Sequence, residues 1–474
     1  MNSNINEKMY AWIDEHTEEL ISVLQDFARI PSISRADLAE ENAPFGPDCR
    51  KMLDYALERS REMGFEVKDH EGYAGSAWMG DFNNALGVIG HLDVVPLGSG
   101  WVYPPYGATR TGDFLIGRGV GDNKNACVMG LFLMKMFREL GIPLKHGLRV
   151  IFGMSEETGM QDMAYMVEKK EVLPILSLVP DAAFPVCKAQ KGSMSGYVSI
   201  ESGKDLKNIF AGEAVNIVPP EATIEVNISA DEMKKAIAEL DEKLYDIEET
   251  EFGCKLIAHG RPSHAAAPWL GLNAIHLLMD ALKRAPLKDE QSKKAVEAMF
   301  AFTEGYYGEC ADIQYQDEVS GKTTLNIGLA RTEGDRFQLH IDSRMSIAAD
   351  PDEMQAKLAA AAEKLGFRAD KLSNTKPFHL PDDHPAMNAL MNAYRELTGR
   401  DDKAYAIGGG TYSRVISTAV TFGLSMKGVT ERPSDIPESH GGAHQADEFL
   451  HIPTFMNSVK IYAAALYNLD QAMA

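Results

Sequence analysis

The stretch ALGVIGHLDVVP (residues 85–96) decides how the chain is read. Its first half is apolar without alternation and ends in His91. Two more runs share that texture, Gly147–Met154 and Leu178–Val186. A strand that is apolar on both faces belongs in a sheet covered on both sides by helices. Such helices are at hand. From about Asn6 to Ala28, Met9, Trp12, Ile13, Leu20, Ile21, Leu24 and Phe27 recur at helical spacing, and PSIS stops the pattern. A second helical stretch covers about Cys49–Met63. Ala126–Leu140 is apolar almost all round and reads as a buried crossover helix. The fold class expected is α/β.

Beyond Lys188 the texture changes. Alternating stretches (Gly196–Ile200, Thr223–Ile228, Phe337–Ile341) surround amphipathic helices near Asp231–Leu244, Leu272–Ala285 and Pro351–Leu365. That pattern describes a separate α+β layer. Within it, AVNIVPPEATIEV and TLNIGLARTEGDRFQLHID each set Asn-Ile before a strand-like run, the trace that two pseudo-repeated halves would leave. SNTKPFHLPDDHPAM reads as a return linker, after which the buried α/β texture resumes and ends in a helix opened by Pro453. The organisation expected is one domain, 1–189 with 382–474, interrupted by an α+β domain at 190–381.

Composition narrows the function. The 474 residues are 45 % apolar and 24 % charged, an ordinary globular balance with ample material for a core. The formal charge of −22 repels polyphosphate and anionic lipid, so neither nucleic acid nor a membrane is an expected partner. No apolar run approaches the roughly 20 residues of a membrane helix. The acidic N-terminus lacks the basic and apolar regions of a secretory signal. Five scattered cysteines with no CxxC pair point to a reducing compartment. A cytoplasmic protein is expected.

Five short segments could carry chemistry. His91 ends an apolar strand, and Asp93, two residues on, falls on the same side of an extended chain and can orient the imidazole. Asp122 follows the glycine-rich GRGVGD and precedes the buried helix, where an ordinary N-cap would also place an Asp. Glu156 and Glu157 sit together after the strand at Leu148–Phe152, useful if one binds a cation while the other holds a proton. Asp181 interrupts an apolar run. His440 and His444 lie in HGGAHQADE, His444 being the better ligand because it borders the next ordered segment. Each has a plain reading as a cap, turn or acidic loop. Together they place carboxylates and imidazoles at strand or loop ends of one α/β domain, which suits two divalent ions bridged by a carboxylate. No sulfur ligand accompanies them, which argues against a thiolate or iron–sulfur site.

GHLDVVP, GRGVGDNK, SEETG, PDAAFP, GRPSHAAAPWLGLNA and HQADE, in this order, resemble the dinuclear zinc peptidases. That family includes aminoacylase, acetylornithine deacetylase, succinyl-diaminopimelate desuccinylase and glutamate carboxypeptidase. Within it the length, PDAAFP and AYAIGGGTYSR resemble most the peptidase V, carnosinase-type (Xaa-His) dipeptidases. The resemblance implies a mixed sheet flanked by helices as catalytic domain, with 190–381 as a lid. It implies that His91 and Asp181 hold one metal and Glu157 and His444 the other. Asp122 would bridge them, Asp93 would support His91, and Glu156 would be the general base. From the lid, His264 would stabilise the oxyanion. Arg344 would bind the substrate carboxylate, aided by Asn216 or Asn326 and the Gly408–Gly410 loop with Gly409 at its centre.

The implied activity is hydrolysis of dipeptides with free termini by two divalent ions, zinc first, with manganese and cobalt as alternatives. The small peptide is the expected partner. The long lid favours a monomer over a homodimer. The alternatives to a dipeptidase are a deacylase, desuccinylase or carboxypeptidase of the same family, or a non-catalytic metal- or peptide-binding protein. The sequence departs from the family pattern at Asn125, where a Gly follows the Asp-x-Lys, and at Ser155 and Gln190, where acidic residues are common. None of these is a proposed ligand.

Overall fold

The structure, a computed structural model, describes residues 2–473. The chain divides into two compact units. One comprises 1–188, 380–405 and 411–474; the other comprises 189–379 and 406–410.

The first unit is built on a mixed sheet. Strands follow in the order Glu66–His70, Ala74–Met79, Gly147–Gly153, Ala85–His91, Leu176–Val179, Ala419–Phe422 and Val186–Gln190. Ala85–His91 runs parallel to both neighbours, and every residue of it and of Gly147–Gly153 is buried. Continuous apolarity therefore does mark strands covered on both faces, and the expected α/β class with a mixed, helix-flanked sheet is what the chain forms. The helix Lys124–Glu139 is buried over most of its surface, as its apolar circumference requires. Pro453 stands in the first turn of the closing helix, Ile452–Ala472. No helix of the described residues is long and apolar enough to cross a membrane.

Two elements differ from the expectation, each for a local reason. The N-terminal helix is two helices, Asn2–Glu15 and Thr17–Ala28. At the break the His16 ring stacks on Trp12, 3.8 Å between centroids, and its Nδ1 lies 2.8 Å from the Trp12 carbonyl oxygen, competing for the helical acceptor. The run Leu178–Val186 is not one strand. Pro180 supplies no ladder donor, so pairing stops at Val179 and Asp181 leaves the sheet.

A buried polar cluster ties the second and third strands together. The Arg149 guanidinium donates to Ser76 Oγ through Nε (3.0 Å) and Nη2 (2.7 Å), and the Ser76 hydroxyl lies 2.9 Å from His70 Nε2. Burial, then the Arg149 cation, push the His70 pKa down to about 4. The unfolded chain takes a proton on this ring as pH falls below about 6.5, and the folded chain does not until about 4, so stability is lost across that window. Between pH 7 and 5 the parent should lose about 2 kcal/mol more than a His70→Gln variant in urea melts. Equal losses would show that His70 is not held neutral.

The second unit is an eight-stranded antiparallel sheet in the order Tyr245–Thr250, Gly253–His259, Glu221–Val226, Leu206–Ala211, Thr324–Glu333, Arg336–Met345, Gly192–Glu201 and Arg368–Thr375. Its halves meet where Phe210 and Ala211 pair with Arg331 and Ala330. Alternation along Glu221–Val226 and Gly253–His259 turns one face to a core shared with helices Ala230–Ala236, Ala274–Arg284, Glu290–Thr303 and Pro351–Lys364. The Asn-Ile echo falls on unlike positions: Asn216 and Ile217 lie in a loop, Asn326 and Ile327 inside a strand.

Candidate metal centre

Parallel pairing aligns His91 with Gly153, so the segments after both strands leave the sheet side by side, where open α/β sheets gather their ligands. Leu92 N–H donates to the Gly153 carbonyl at 2.8 Å. Asp93, fully buried, then spans the two segments: its two carboxylate oxygens accept the N–H groups of Glu156 and Glu157, each at 3.1 Å. The His91 Nδ1 lies 3.0 Å from the Asp93 carbonyl oxygen and 3.4 Å from its carboxylate. This fixes the ring so that Nε2 faces outward from the sheet edge.

Asp122 lies at the start of the helix Lys124–Glu139 but is not its N-cap; Asn123 holds that position without a side-chain cap bond. The Asn123 side chain instead donates to the Pro180 carbonyl at 2.7 Å and faces the His91 N–H at 3.4 Å. It thereby ties together the segments that deliver His91, Asp122 and Asp181.

The five residues expected as ligands do meet. Asp122 Oδ1 is 3.2 Å from His91 Nε2, and Asp122 Oδ2 is 3.3 Å from His444 Nε2. His444 Nε2 is also 3.1 Å from Glu157 Oε1. Ligand atoms of His91, Asp122 and Glu157 lie within 4.8 Å of one another, as do those of His91, Glu156 and Asp181. Glu156 is thus as near as a ligand would be. Bonds of roughly 2.0–2.2 Å at tetrahedral angles set neighbouring ligand atoms roughly 3.3–3.6 Å apart, close to the spacings around Asp122.

Protonation tells the same story in charge. Burial alone would discharge the His91 ring, yet the surrounding Asp122, Asp93 and Asp181 carboxylates hold its pKa well above the ordinary value. Hydrogen bonds to Asp122 and Glu157 raise that of His444 to about 10. Burial and then the Asp122 charge push Asp181 up to about 7, and burial and then the Asp181 charge push Glu156 well up. Five carboxylates, Asp93, Asp122, Glu156, Glu157 and Asp181, here face two imidazoles. Ionised around neutral rings, they leave a concentrated negative charge that divalent cations would offset. The donor set of nitrogen and oxygen fits such ions.

The residues expected from 190–381 lie together in the second unit. His264 is exposed, and its Nδ1 accepts the Ala266 N–H at 3.1 Å, which leaves Nε2 to carry the proton of the neutral ring. Partial burial and then the Arg344 cation lower its pKa. Arg344 binds Asp342 twice, Nε to Oδ1 at 2.7 Å and Nη2 to Oδ2 at 2.8 Å. Asn326, 3 % exposed, donates to the Ile217 carbonyl at 3.1 Å, while the Asn216 carbonyl accepts the Ala265 N–H at 2.8 Å. A Cβ on Gly409 would meet nothing within 4 Å, whereas one on Gly408 would lie 2.8 Å from Ala266 Cβ.

Apart from Asp93, sequence reasoning did not find the groups that hold these segments. Besides Asn123 they include Asp162, whose Oδ2 accepts the N–H groups of Met154 (2.7 Å) and Ser155 (3.0 Å) and the Tyr412 hydroxyl (2.5 Å). Asn123 reaches His91 and Pro180 across 32 and 57 positions and Asp162 reaches Tyr412 across 250, contacts that carry no local signature.

Carboxylates and imidazoles gathered without thiolate at the strand ends of a helix-flanked sheet make a hydrolase centre suited to divalent cations. The chain belongs to peptidase family M20/M25/M40, whose profile residues 87–468 match, and it is a hydrolase of peptide bonds. The candidate dipeptidase YtjP of Bacillus subtilis is 30 % identical over 467 residues, covering 95 % of this chain and 97 % of that protein. Among solved structures, the di-peptidase Dug1p from Saccharomyces cerevisiae superposes with TM-score 0.59 at 15 % identity, covering 99 % of both chains. The M20 family metallo-carboxypeptidase Sso-CP2 from Sulfolobus solfataricus does so with TM-score 0.59 at 16 % identity, covering 96 % of this chain and 99 % of the other. These two structures share the fold.

Proposed function

We propose that this peptidase is a dipeptidase acting on dipeptides with free termini, and that it works with two divalent cations. His91 and Asp181 would hold one, Glu157 and His444 the other, and Asp122 both. The observation that carries the reading is the placing of Asp122, one oxygen towards His91 and the other towards His444. The full-length likeness to a candidate dipeptidase supports the substrate class. Zinc is the ion proposed first, with manganese and cobalt also suited to these donors.

Cations held by these residues would supply a water whose pKa is lowered towards neutrality, together with polarisation of the scissile carbonyl. Glu156 takes the proton of the attacking water and delivers it to the departing amine. Asp93 holds the Glu156 main chain, so the side chain alone moves with the proton. His264 offers its Nε2–H to the developing oxyanion, a donor whose loss typically costs roughly 3–4 kcal/mol in such reactions. Arg344 receives the substrate carboxylate on the N–H groups that Asp342 leaves free, since a guanidinium carries five.

A panel of free dipeptides, tripeptides and N-acyl amino acids tests the substrate class on zinc- or manganese-loaded protein. Dipeptides should be cleaved at least tenfold faster than the other two groups. Turnover confined to N-acyl amino acids would make the chain a deacylase instead.

A further inference from the structure

Glu448 stands four residues beyond His444, and its side chain is 2 % exposed. Its carboxylate collects four donors. Oε2 accepts from Arg118 Nη1 at 2.9 Å and from the Gly119 N–H at 3.2 Å. Oε1 accepts the N–H groups of Gly121 at 2.8 Å and Asp122 at 3.0 Å. The Gly117 N–H also donates to the Glu448 carbonyl at 2.9 Å. The segment that carries His444 thus grips, through main-chain amides, the loop that ends on Asp122.

The neighbouring carboxylate faces elsewhere. Asp447, fully buried, accepts the Val102 and Tyr103 N–H groups and pairs with His440 Nδ1 at 2.7 Å. Between these anchors, His444 and Asp447 have φ of +65° and +52°, the left-handed region in which a residue with a Cβ stays only when its surroundings hold it. Pairing with Arg118 would by itself account for one Glu448 oxygen. The other is given to Gly121 and Asp122.

We propose that Glu448 is a positioning residue of the metal centre. By holding the Gly121 and Asp122 amides, it fixes the Asp122 carboxylate at the distance from His444 at which the two share one cation. The inference rests on the two-cation reading above. It assigns a role in that centre to a residue that would not touch the metal.

Calorimetric titration of zinc into the chelator-stripped full-length chain tests it. Glu448→Gln keeps the size of the side chain but turns an NH₂ group either to Arg118 or to the loop amides. At least one of the two binding events seen with the parent should weaken by roughly 10–100-fold. In the zinc-loaded variant kcat should fall while KM stays within about twofold of the parent, a split that simple loss of stability does not produce. A folded variant with both affinities within about threefold of the parent overturns the inference. Should Glu448→Gln not fold, Glu448→Asp takes its place. It keeps a charge for Arg118 but is one methylene too short to reach Gly121 and Asp122 as well, and the same two results decide. A parent that binds no zinc sinks the two-cation reading itself, whereas two events unchanged in the variant sink this inference alone.

Discussion

Replacing Glu156 by Ala is expected to lower turnover by roughly 10²–10⁴-fold, the usual contribution of a positioned general base, while the protein keeps both cations. The second half of that expectation is the informative one. Glu156 lies with His91 and Asp181 in a cluster compact enough to ligate an ion. If it serves as base, its removal relieves a like charge beside Asp181 and leaves metal content at the parent level. If it is a ligand, metal and activity fall together. Metal analysis of the purified variant beside its kcat separates the two roles, and turnover that survives would remove Glu156 from both.

Asp122→Ala is expected to have the largest effect on the cations themselves. This carboxylate contacts both imidazoles, so its loss should weaken both sites by more than the roughly 10–100-fold that losing a ligand's supporting partner costs. Thermal melts give a readout independent of turnover. A ligand at 100 times its Kd stabilises the folded state by about 2.7 kcal/mol. The stripped parent should therefore gain several degrees in Tm when zinc is added, and stripped Asp122→Ala should gain little. A variant stabilised by zinc as much as the parent would show that Asp122 does not bridge.

Some of the ligand candidates were legible because they end or interrupt a short apolar run. His91 closes a strand in which every residue is buried, and Asp181 appears where Pro180 ends the pairing of another. The glycine-rich GRGVGD and the sharp step into a buried helix marked Asp122. What could not be read was long-range. Glu448 meets Asp122 across 326 positions and Tyr412 meets Asp162 across 250, and neither contact leaves a periodic or local trace. The helix Glu290–Thr303 escaped notice although Asp289 caps it through the Ser292 N–H and Val296, Met299 and Phe302 mark its buried face. The same limit applies to Arg344. Its fork suits a carboxylate, and only the fold shows that Asp342, two residues away on the same strand, already engages two of its donors.

Counting the metal settles most. Purified chain, exchanged into metal-free buffer and analysed by inductively coupled plasma mass spectrometry, should carry close to two divalent ions per molecule; stripping them should abolish dipeptide cleavage, and adding zinc, manganese or cobalt should restore it. Chain with only trace metal that still hydrolyses dipeptides at full rate in the presence of chelator would contradict the account.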